Sequence, residues 1–233
     1  MYILIIGAGS VGRSIARELL SYSHDVTLID NAAHKLQVAK LADADWILAD
    51  ACDPLTLRQA EAERADVVVA ATGDDKVNLV VSLLAKTEFG VPRTVARVNN
   101  PTNEWMFDET WGVDIPVSTP RIMTSLVEEV VAEGTPVHLF RFHGSATSLF
   151  SVTVPKNSPA VGRRLIDLKL PATAVVVAIL RDTHPFTPAV DSTVEVGDEL
   201  LFLIPVREKA EIEALQRIFE APAADPEDFA QED

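Results

Sequence analysis

The chain has 233 residues, a formal net charge of −15 and 48% hydrophobic residues. This length suits two modest domains, and the hydrophobic content is ample for packed cores. The acidic balance argues against nucleic acid and anionic lipid as direct partners. The single cysteine, Cys52, excludes an internal disulfide and a four-thiolate zinc site. No apolar run approaches the roughly 18 residues of a membrane span, so we expect a soluble, cytoplasmic protein.

The most informative segment is the first thirty residues, where a strand-like run leads directly into a Gly-rich turn. Met1–Ile6 is apolar, residues 7–12 read Gly-Ala-Gly-Ser-Val-Gly, and residues 13–20 have a helical pattern. A second apolar run, 26–29, ends at Asp30. Strand, Gly-rich turn, helix, strand and acid in this order form the dinucleotide-binding fingerprint. The alternative is a tight strand–helix turn that binds no ligand.

Each position of the fingerprint has a physical reason. Gly7 permits the tight turn, Gly9 lets the backbone approach a pyrophosphate, and Gly12 lets the helix pack closely on the strand. The helix N-terminus offers free N–H groups and a positive dipole to the anion. Asp30 is placed to accept hydrogen bonds from ribose hydroxyls and to repel a 2′-phosphate. We therefore expect NAD(H), ADP or ATP to bind better than NADP(H).

Strand-like and amphipathic helical stretches alternate through the rest of the first half. Further strands are predicted at 46–48, 67–71, 94–98 and 113–115, and helices at 33–40, 54–63, 76–88, 103–111 and 120–132. Residues 72–75 are expected to break the chain and cap the helix at 76–88. Six strands with interleaved helices are typical of a doubly wound parallel Rossmann sheet, and we predict such a domain at 1–133.

The pattern becomes strand-rich after residues 133–136. Strands are predicted at 137–142, 149–154, 175–181 and 199–204, with a turn at Gly144–Ser145 and a final helix at 208–219. These elements indicate a second, small α+β domain at 137–219. Residues 220–233 hold six acids and no base, and we predict that they form a disordered acidic tail.

Groups that suit a nucleotide follow the predicted strands, and ligands of such sheets bind beyond the carboxyl ends of the strands. The backbone N–H groups of Ala8, Ser10 and Val11 are expected to face phosphates, and Asp30 the ribose. The remaining candidates are Asp50 and Ala51 for the adenine edge, Thr72 and Gly73 near a phosphate, and Arg97 to balance phosphate charge. A helix cap or a solvated loop acid is the alternative for Asp50, and a surface ion pair is the alternative for Arg97.

Catalytic side chains are sparse in comparison. Neither tyrosine has a lysine four residues later, as short-chain dehydrogenase chemistry requires, and the five histidines are scattered. The sequence contains no HExxH, GxSxG or Walker motif. We therefore predict no catalytic residue and a protein that is not an enzyme.

Seven short motifs run in order through both predicted domains. They lie at 6–12 (Ile-Gly-Ala-Gly-Ser-Val-Gly), 72–78 (Thr-Gly-Asp-Asp-Lys-Val-Asn), 95–98 (Val-Ala-Arg-Val), 154–162, 165–168, 178–181 and 196–199. In this order and spacing, over residues 1–219, the chain resembles the TrkA family. Its members are the regulatory subunits of bacterial Trk potassium uptake systems and carry the domain that regulates potassium conductance (RCK). The actinobacterial members are the most similar.

The resemblance implies a cytoplasmic nucleotide sensor that gates a Trk/Ktr-type potassium transporter. Family members bind NAD(H), ATP or ADP and form dimers that assemble into a ring, tetrameric or larger, beneath a TrkH-type pore subunit. A sister RCK protein is a further candidate partner, and such a subunit is peripheral to the inner face of the plasma membrane through its partner. Binding changes the angle between the lobes, which requires different affinities for two ring conformations. The runner-up function is an NAD-dependent oxidoreductase with a small second domain, and a redox-sensing binding module is third.

Three departures from the family pattern narrow the ligand. Some relatives have an Arg at the position of Ser10 that reaches a terminal phosphate, so its absence here favours NAD. Some relatives hold a divalent cation with a Glu after the Pro of the crossover helix. In this chain Pro120 is followed by Arg121, so no metal site is predicted. Relatives that bind cyclic di-AMP use an Arg near the position of Pro171, and its absence argues against that ligand.

Large apolar side chains also predict self-association through the first domain. Aromatic groups concentrate at 105–107 and at Trp111, and the helix predicted at 120–132 has one apolar face. That face consists of Leu126, Val127, Val130 and Val131. Packing in the core of a single subunit is the alternative.

Overall fold

Backbone pairing arranges the chain around two separate sheets. The structure, a computed structural model, describes residues 1–38, 41–142, 145, 147–205 and 209–220. The chain divides into two compact units, residues 1–121 and residues 122–233. The domain limits predicted from the sequence, 1–133 and 137–219, stay a prediction. The predicted tail beyond Glu220, residues 39–40 of the predicted helix 33–40, Gly144 of the predicted turn and residue 208 lie outside the described residues.

The first unit contains a six-stranded parallel sheet in the order β3-β2-β1-β4-β5-β6. The strands are β1 (Tyr2–Ile6), β2 (Asp25–Asp30), β3 (Asp45–Leu48), β4 (Val67–Ala70), β5 (Arg93–Val98) and β6 (Ile115–Ser118). The helices are α1 (Ser10–Ser21), α2 (Ala33–Val38), α3 (Pro54–Gln59), α4 (Asp75–Thr87) and α5 (Thr119–Val131), the last of which crosses the boundary between the units. Leu4 and Ile5 are both fully buried although they point to opposite faces, because helices cover both sides. The predicted doubly wound sheet is confirmed.

Two predicted helices of this unit were wrong in extent or type. Two 3-10 turns, Pro101–Met106 and Glu109–Trp111, replace the helix predicted at 103–111. Asn100 starts the first turn by accepting the Thr102 N–H at 3.1 Å, and Asp108 interrupts the predicted helix by starting the second turn. The helix predicted at 54–63 ends at Gln59, since Glu61 takes a left-handed φ of 51°.

The sheet of the second unit is antiparallel, in the order β10-β9-β11-β8-β7. Its elements are β7 (Val137–Arg141), β8 (Thr147–Thr153), β9 (Val175–Arg181), β10 (His184–Phe186), β11 (Glu199–Pro205) and the helix α6 (Lys209–Phe219). The core faces α6, where the rings of Phe202 and Phe219 meet edge to face at 5.9 Å. The predicted small α+β architecture is confirmed, with β10 as an additional edge strand.

One buried ion pair ties this second sheet to the turn before β11. Asp198 is fully buried, and its carboxylate accepts the Arg181 guanidinium at 2.7 and 2.8 Å. The same carboxylate accepts the Glu195 N–H at 2.8 Å. Among the residues that the structure describes, no helix combines the length and apolarity needed to cross a membrane.

Candidate functional site

The order of the strands reverses between β1 and β4, which places a crevice at their carboxyl ends. Ile6, the last residue of β1, is in register with Ile29 on one side and Ala70 on the other. The chain then leaves the sheet in opposite directions, with the Gly7 N–H bonded to Ile29 O at 2.8 Å. The Gly-rich turn, the end of β2 and the loop after β4 therefore meet at one edge.

The Gly-rich turn leaves its backbone open above this crevice. Gly7 has a φ of +103°, and a Cβ on Gly12 would lie 1.8 Å from Gly7 O, so neither position takes a side chain. Packing within the protein does not require glycine at position 9, because a Cβ on Gly9 would meet no atom within 4 Å. No side chain caps α1, whose first N–H groups lack intrahelical acceptors. Open backbone beside free N–H groups is the surface that a phosphate requires.

Asp30 lies at the end of β2 with 6% of its surface exposed. One oxygen accepts the Ala8 N–H at 2.8 Å and the other accepts the Ala32 N–H at 2.9 Å. The Lys35 ammonium lies 2.8 and 3.1 Å from the two oxygens. Burial alone would raise the pKa of this carboxyl, but the bonds from Lys35, Ala32 and Ala8 outweigh it and hold the pKa below its usual value. Asp30 is therefore ionised, and the Ala8 N–H, which the sequence analysis expected to face a phosphate, donates to Asp30 instead.

Asn78 connects the loops that follow β4 and β5. It is fully buried, and its Oδ1 accepts the Thr72 N–H at 3.0 Å and the Thr72 hydroxyl at 2.7 Å. Its Nδ2 donates to Arg97 O at 2.8 Å. The backbone pairing of β4 and β5 ends at Ala70 and Ala96. The Asn78 side chain links the two chain segments beyond that point. The predicted site residues Thr72 and Arg97 are thus brought together through a residue that was not predicted.

Asp75 reinforces the same region from the first turn of α4. Its carboxylate accepts the Asn99 N–H at 2.7 Å, the Asn99 Nδ2 at 2.9 Å, the Asn100 N–H at 3.1 Å and the Asn103 Nδ2 at 2.8 Å. Burial raises the pKa of this carboxyl, but these bonds outweigh burial and lower it. Asp74, not Asp75, caps α4 by accepting the Lys76 N–H at 2.8 Å.

Arg97 lies near the carboxyl end of β5 and is the cation that the sequence predicts will balance phosphate charge. Its side chain is half-buried, and its Nε is buried with no hydrogen-bond partner among the described residues. Among the described residues, no ion pair includes Arg97. The surface ion pair that the sequence analysis gave as its alternative role is therefore not observed. A buried guanidinium nitrogen without a partner is costly unless an acceptor arrives. Together with the open surface at Gly9, it fits a phosphate-bearing ligand.

The remaining predicted residues follow β3 and β4 along the chain. Asp50 is exposed, and its Oδ1 accepts the Cys52 N–H at 2.9 Å, which is the solvated loop acid that the sequence left open. Ala51 is buried in the core, whereas Gly73 is exposed. Burial and then the Asp50 charge raise the pKa of the Cys52 thiol, which keeps the thiol protonated.

Sequence reasoning missed Lys35, Asn78 and the role of Asp75. A basic residue five positions after the acid that ends β2 was a usable signal for Lys35. The contacts of Asp75 join residues 24 to 28 positions apart, and no local pattern reveals them.

Comparison with known proteins identifies relatives along most of the chain. A family model of the TrkA-N domain matches residues 3–119, and one of the TrkA-C domain matches residues 149–219. The Trk system potassium uptake protein TrkA of Mycobacterium tuberculosis (strain H37Rv) is 48% identical over 215 residues, which cover 92% of this chain and 98% of that protein. A TrkA homolog of Methanothermobacter thermautotrophicus is 33% identical over 206 residues, which cover 88% of this chain and 94% of the homolog.

Solved structures agree on the fold. The GsuK channel bound to NAD superimposes with a TM-score of 0.63 at 17% identity, over 95% of this chain and 40% of the channel chain. The GsuK RCK domain gives a TM-score of 0.59 at 16% identity, over 95% of this chain and 48% of that chain. The two family models and the relatives that match along nearly the whole length lead to one conclusion: the chain belongs to the TrkA family.

Proposed function

We propose that this protein is a nucleotide-sensing regulatory subunit of a Trk-type potassium uptake system. The observation that carries the proposal is the crevice itself, with an open Gly-rich turn and an unpartnered nitrogen on Arg97. This crevice lies in a chain that is 48% identical to a potassium uptake protein over 98% of that protein's length. A charged ligand site in such a subunit serves regulation of potassium uptake.

The proposed ligand is NAD(H) or an adenine nucleotide. The N–H groups of Ser10 and Val11 at the start of α1 would hold the phosphates, and Arg97 would supply the balancing charge. Asp30, which is ionised, would accept the ribose hydroxyls. The NAD-bound channel with the same fold supports a dinucleotide as the occupant. When bound, the nucleotide adds its charge and its contacts, while the residues of this chain bind and orient it.

Residues that follow β3 and β4 complete the proposed site. Thr72 holds the β4 loop in place through Asn78, so that Gly73 remains free to approach a phosphate. Asp50 and Ala51 follow β3, on the far side of Asp30, where the adenine edge would lie. This order along the sheet, from adenine to phosphate, follows from the strand order.

We also propose that the protein binds its ligand without turning it over. Asp30 and Asp75 have lowered pKa values, which does not suit proton transfer near neutral pH. Tyr2 begins β1 and so lies at the opposite edge of the sheet, and burial raises its pKa. The Cys52 thiol also has a raised pKa. The oxidoreductase alternative therefore has no acid or nucleophile suited to the crevice among these groups.

We further propose that α5 pairs with a second copy of the chain. Met123, Leu126, Val127, Val130 and Val131 are between 53% and 84% exposed along this helix. Their spacing places them on one face, and contiguous apolar surface of this kind marks an interaction site. Trp105 is 77% exposed as well, whereas Phe107 is 3% exposed and belongs to the core.

A dimer of this kind is the proposed unit of a larger ring, tetrameric or larger, that acts on a TrkH-type pore subunit. A sister RCK protein is a second candidate for that ring. The protein would then be cytoplasmic and peripheral to the inner face of the plasma membrane. Nucleotide would act by binding two conformations of the assembly with different free energies.

Calorimetric titration with NADH, NADPH, ATP and ADP tests the site. Arg97→Met should weaken binding of the preferred nucleotide by about tenfold or more, the loss expected for a charge-assisted phosphate contact. Arg93→Met is the matched control, because Arg93 is exposed at the opposite end of the same strand. Equal loss in both variants, or none in either, would count against the assigned crevice.

Potassium flux through vesicles that contain the protein and its pore subunit tests the regulatory role. Flux should change when the nucleotide is added, and NADH absorbance should stay constant during a long incubation. Flux that ignores every nucleotide would contradict the proposed function. Steady oxidation of NADH in the presence of a substrate would favour the oxidoreductase instead.

A further inference from the structure

The carboxylate that the proposed function assigns to the ribose is already fully used. A carboxylate offers about four lone-pair positions to hydrogen-bond donors. Those of Asp30 receive the Ala8 N–H, the Ala32 N–H and two contacts from the Lys35 ammonium, at 2.8 to 3.1 Å. Two ribose hydroxyls can therefore bind to Asp30 only if one of these donors leaves.

Lys35 is the donor that can leave. The Ala8 N–H belongs to the turn that Gly7 fixes with its φ of +103°, and the Ala32 N–H is held two residues beyond β2. Lys35, in contrast, reaches Asp30 by a four-carbon stem, and its side chain is 35% exposed. A lysine stem has several rotatable bonds and carries a compact charge that water solvates well. Release of the ammonium therefore costs less than distortion of the turn.

The released ammonium stays within one side-chain length of the ribose. The Lys35 ammonium also balances the negative charge of Asp30, which is the charge expected to repel a 2′-phosphate. A cation that is displaced by the 2′-hydroxyl is well placed for a phosphate on that same oxygen.

We propose that Lys35 determines the ribose specificity of the crevice: it yields Asp30 to the ribose hydroxyls and then pairs with a 2′-phosphate, so that phosphorylated and unphosphorylated dinucleotides both bind. This inference rests on the proposed function, because it takes the crevice to hold a dinucleotide. It changes the expectation drawn from Asp30 alone, which strongly disfavours NADP(H). The acid and the lysine act as one unit, and the lysine sets how strong the discrimination is.

Titration of the full-length protein with NADH and NADPH, at one ionic strength, tests the inference. The wild-type dissociation constants should agree within about tenfold. Lys35→Met keeps the apolar stem and removes the charge, and it should raise the ratio of the NADPH constant to the NADH constant at least about tenfold. NADH binding should be unchanged or tighter, because no ammonium competes for Asp30. Lys35→Arg keeps the charge and should keep the wild-type ratio.

Arg17→Met is the matched control, since Arg17 is an exposed cation on α1 and contributes the same change in net charge. It should leave the ratio unchanged. Lys35→Gln serves as a second variant if the Met variant loses its native circular dichroism spectrum. A ratio that is the same in wild type and in the Lys35 variants overturns the inference while the proposed function stands. Wild-type protein that binds neither dinucleotide overturns the inference, and protein that also binds neither ATP nor ADP overturns the proposed function as well.

Discussion

Replacement of Asp75 by asparagine hardly changes the size of the side chain, yet it should strongly destabilise the first unit. The carboxylate accepts four N–H donors and is 8% exposed. An asparagine side chain has one carbonyl oxygen, so at most two of those donors keep an acceptor. The NH2 group then faces the other two donors. A buried donor without an acceptor costs roughly 1–3 kcal/mol, so Asp75→Asn should lower the free energy of unfolding by roughly 2–4 kcal/mol after local relaxation.

The neighbouring acid provides the control. Asp74 is exposed and caps α4 through the Lys76 N–H, and asparagine is an equally good cap. Asp74→Asn should therefore change the free energy of unfolding by less than about 0.5 kcal/mol. Urea titration followed by tryptophan fluorescence measures both variants. It reports on the first unit alone, because all three tryptophans, Trp46, Trp105 and Trp111, lie within residues 1–121.

The pH dependence of the difference follows from the lowered pKa of Asp75. A carboxyl whose pKa is lowered by folding contributes its stability above the pKa of the unfolded chain, about 3.9, and loses it as the pH falls through the folded pKa. The gap between wild type and Asp75→Asn should thus be constant from pH 7 to about 5 and should shrink below about pH 4. Equal stability of the two proteins at pH 7, or a gap that grows in acid, would refute the role assigned to Asp75.

Three further substitutions test other parts of the structure. Asp198→Asn should lower the stability of the second unit by about 1–3 kcal/mol, because it removes the charge of a fully buried carboxylate that binds the partly exposed Arg181 guanidinium, whereas Glu195→Gln on the exposed side of the same cluster should cost under about 1 kcal/mol; thermal unfolding measures both. Val130→Glu should shift the protein toward the monomer in light scattering at micromolar concentration, and Glu128→Gln on the same helix should not; a wild-type monomer would rule out the α5 dimer. Gly9→Ala should keep the melting temperature within a few degrees, as a Cβ there meets no protein atom, yet weaken nucleotide binding at least about tenfold in calorimetry.

The fold of the first unit was largely predictable because its signals are local. Short apolar runs followed by Gly-rich or acidic turns define a parallel sheet covered on both faces, and β1, β2 and β4 began and ended within one residue of the prediction. The edge strand β10 was missed for an equally physical reason. The turn before it uses Asp182 and Thr183 at φ of 47° and 67°, and such a two-residue hairpin turn is normally signalled by glycine or asparagine.

The site was predictable only in part. The Gly-rich turn and Asp30 follow from residue type and spacing, since both reflect backbone geometry close in sequence. Lys35 was missed although its position, five residues after the acid that ends β2 and within α2, was a usable signal. The network of Asn78 and Asp75 includes contacts between residues 19 to 28 positions apart that only the folded sheet brings together. Side-chain networks of this kind satisfy buried polar groups and leave no periodic trace in the sequence.

The hydrogen bonds that Asp30 already makes bear on how such a protein can act as a sensor. A ligand that takes Asp30 replaces hydrogen bonds from Lys35 that already exist, so the net gain from the ribose is small. We expect the larger gain to come from Arg97, whose Nε has no partner among the described residues, and from open N–H groups at α1. We therefore expect a modest affinity per site that rests on the phosphates. To move an assembly from 1:99 to 99:1 requires roughly 5.5 kcal/mol of differential binding. Several identical copies can supply that sum together, which is the physical reason to expect a self-associating subunit.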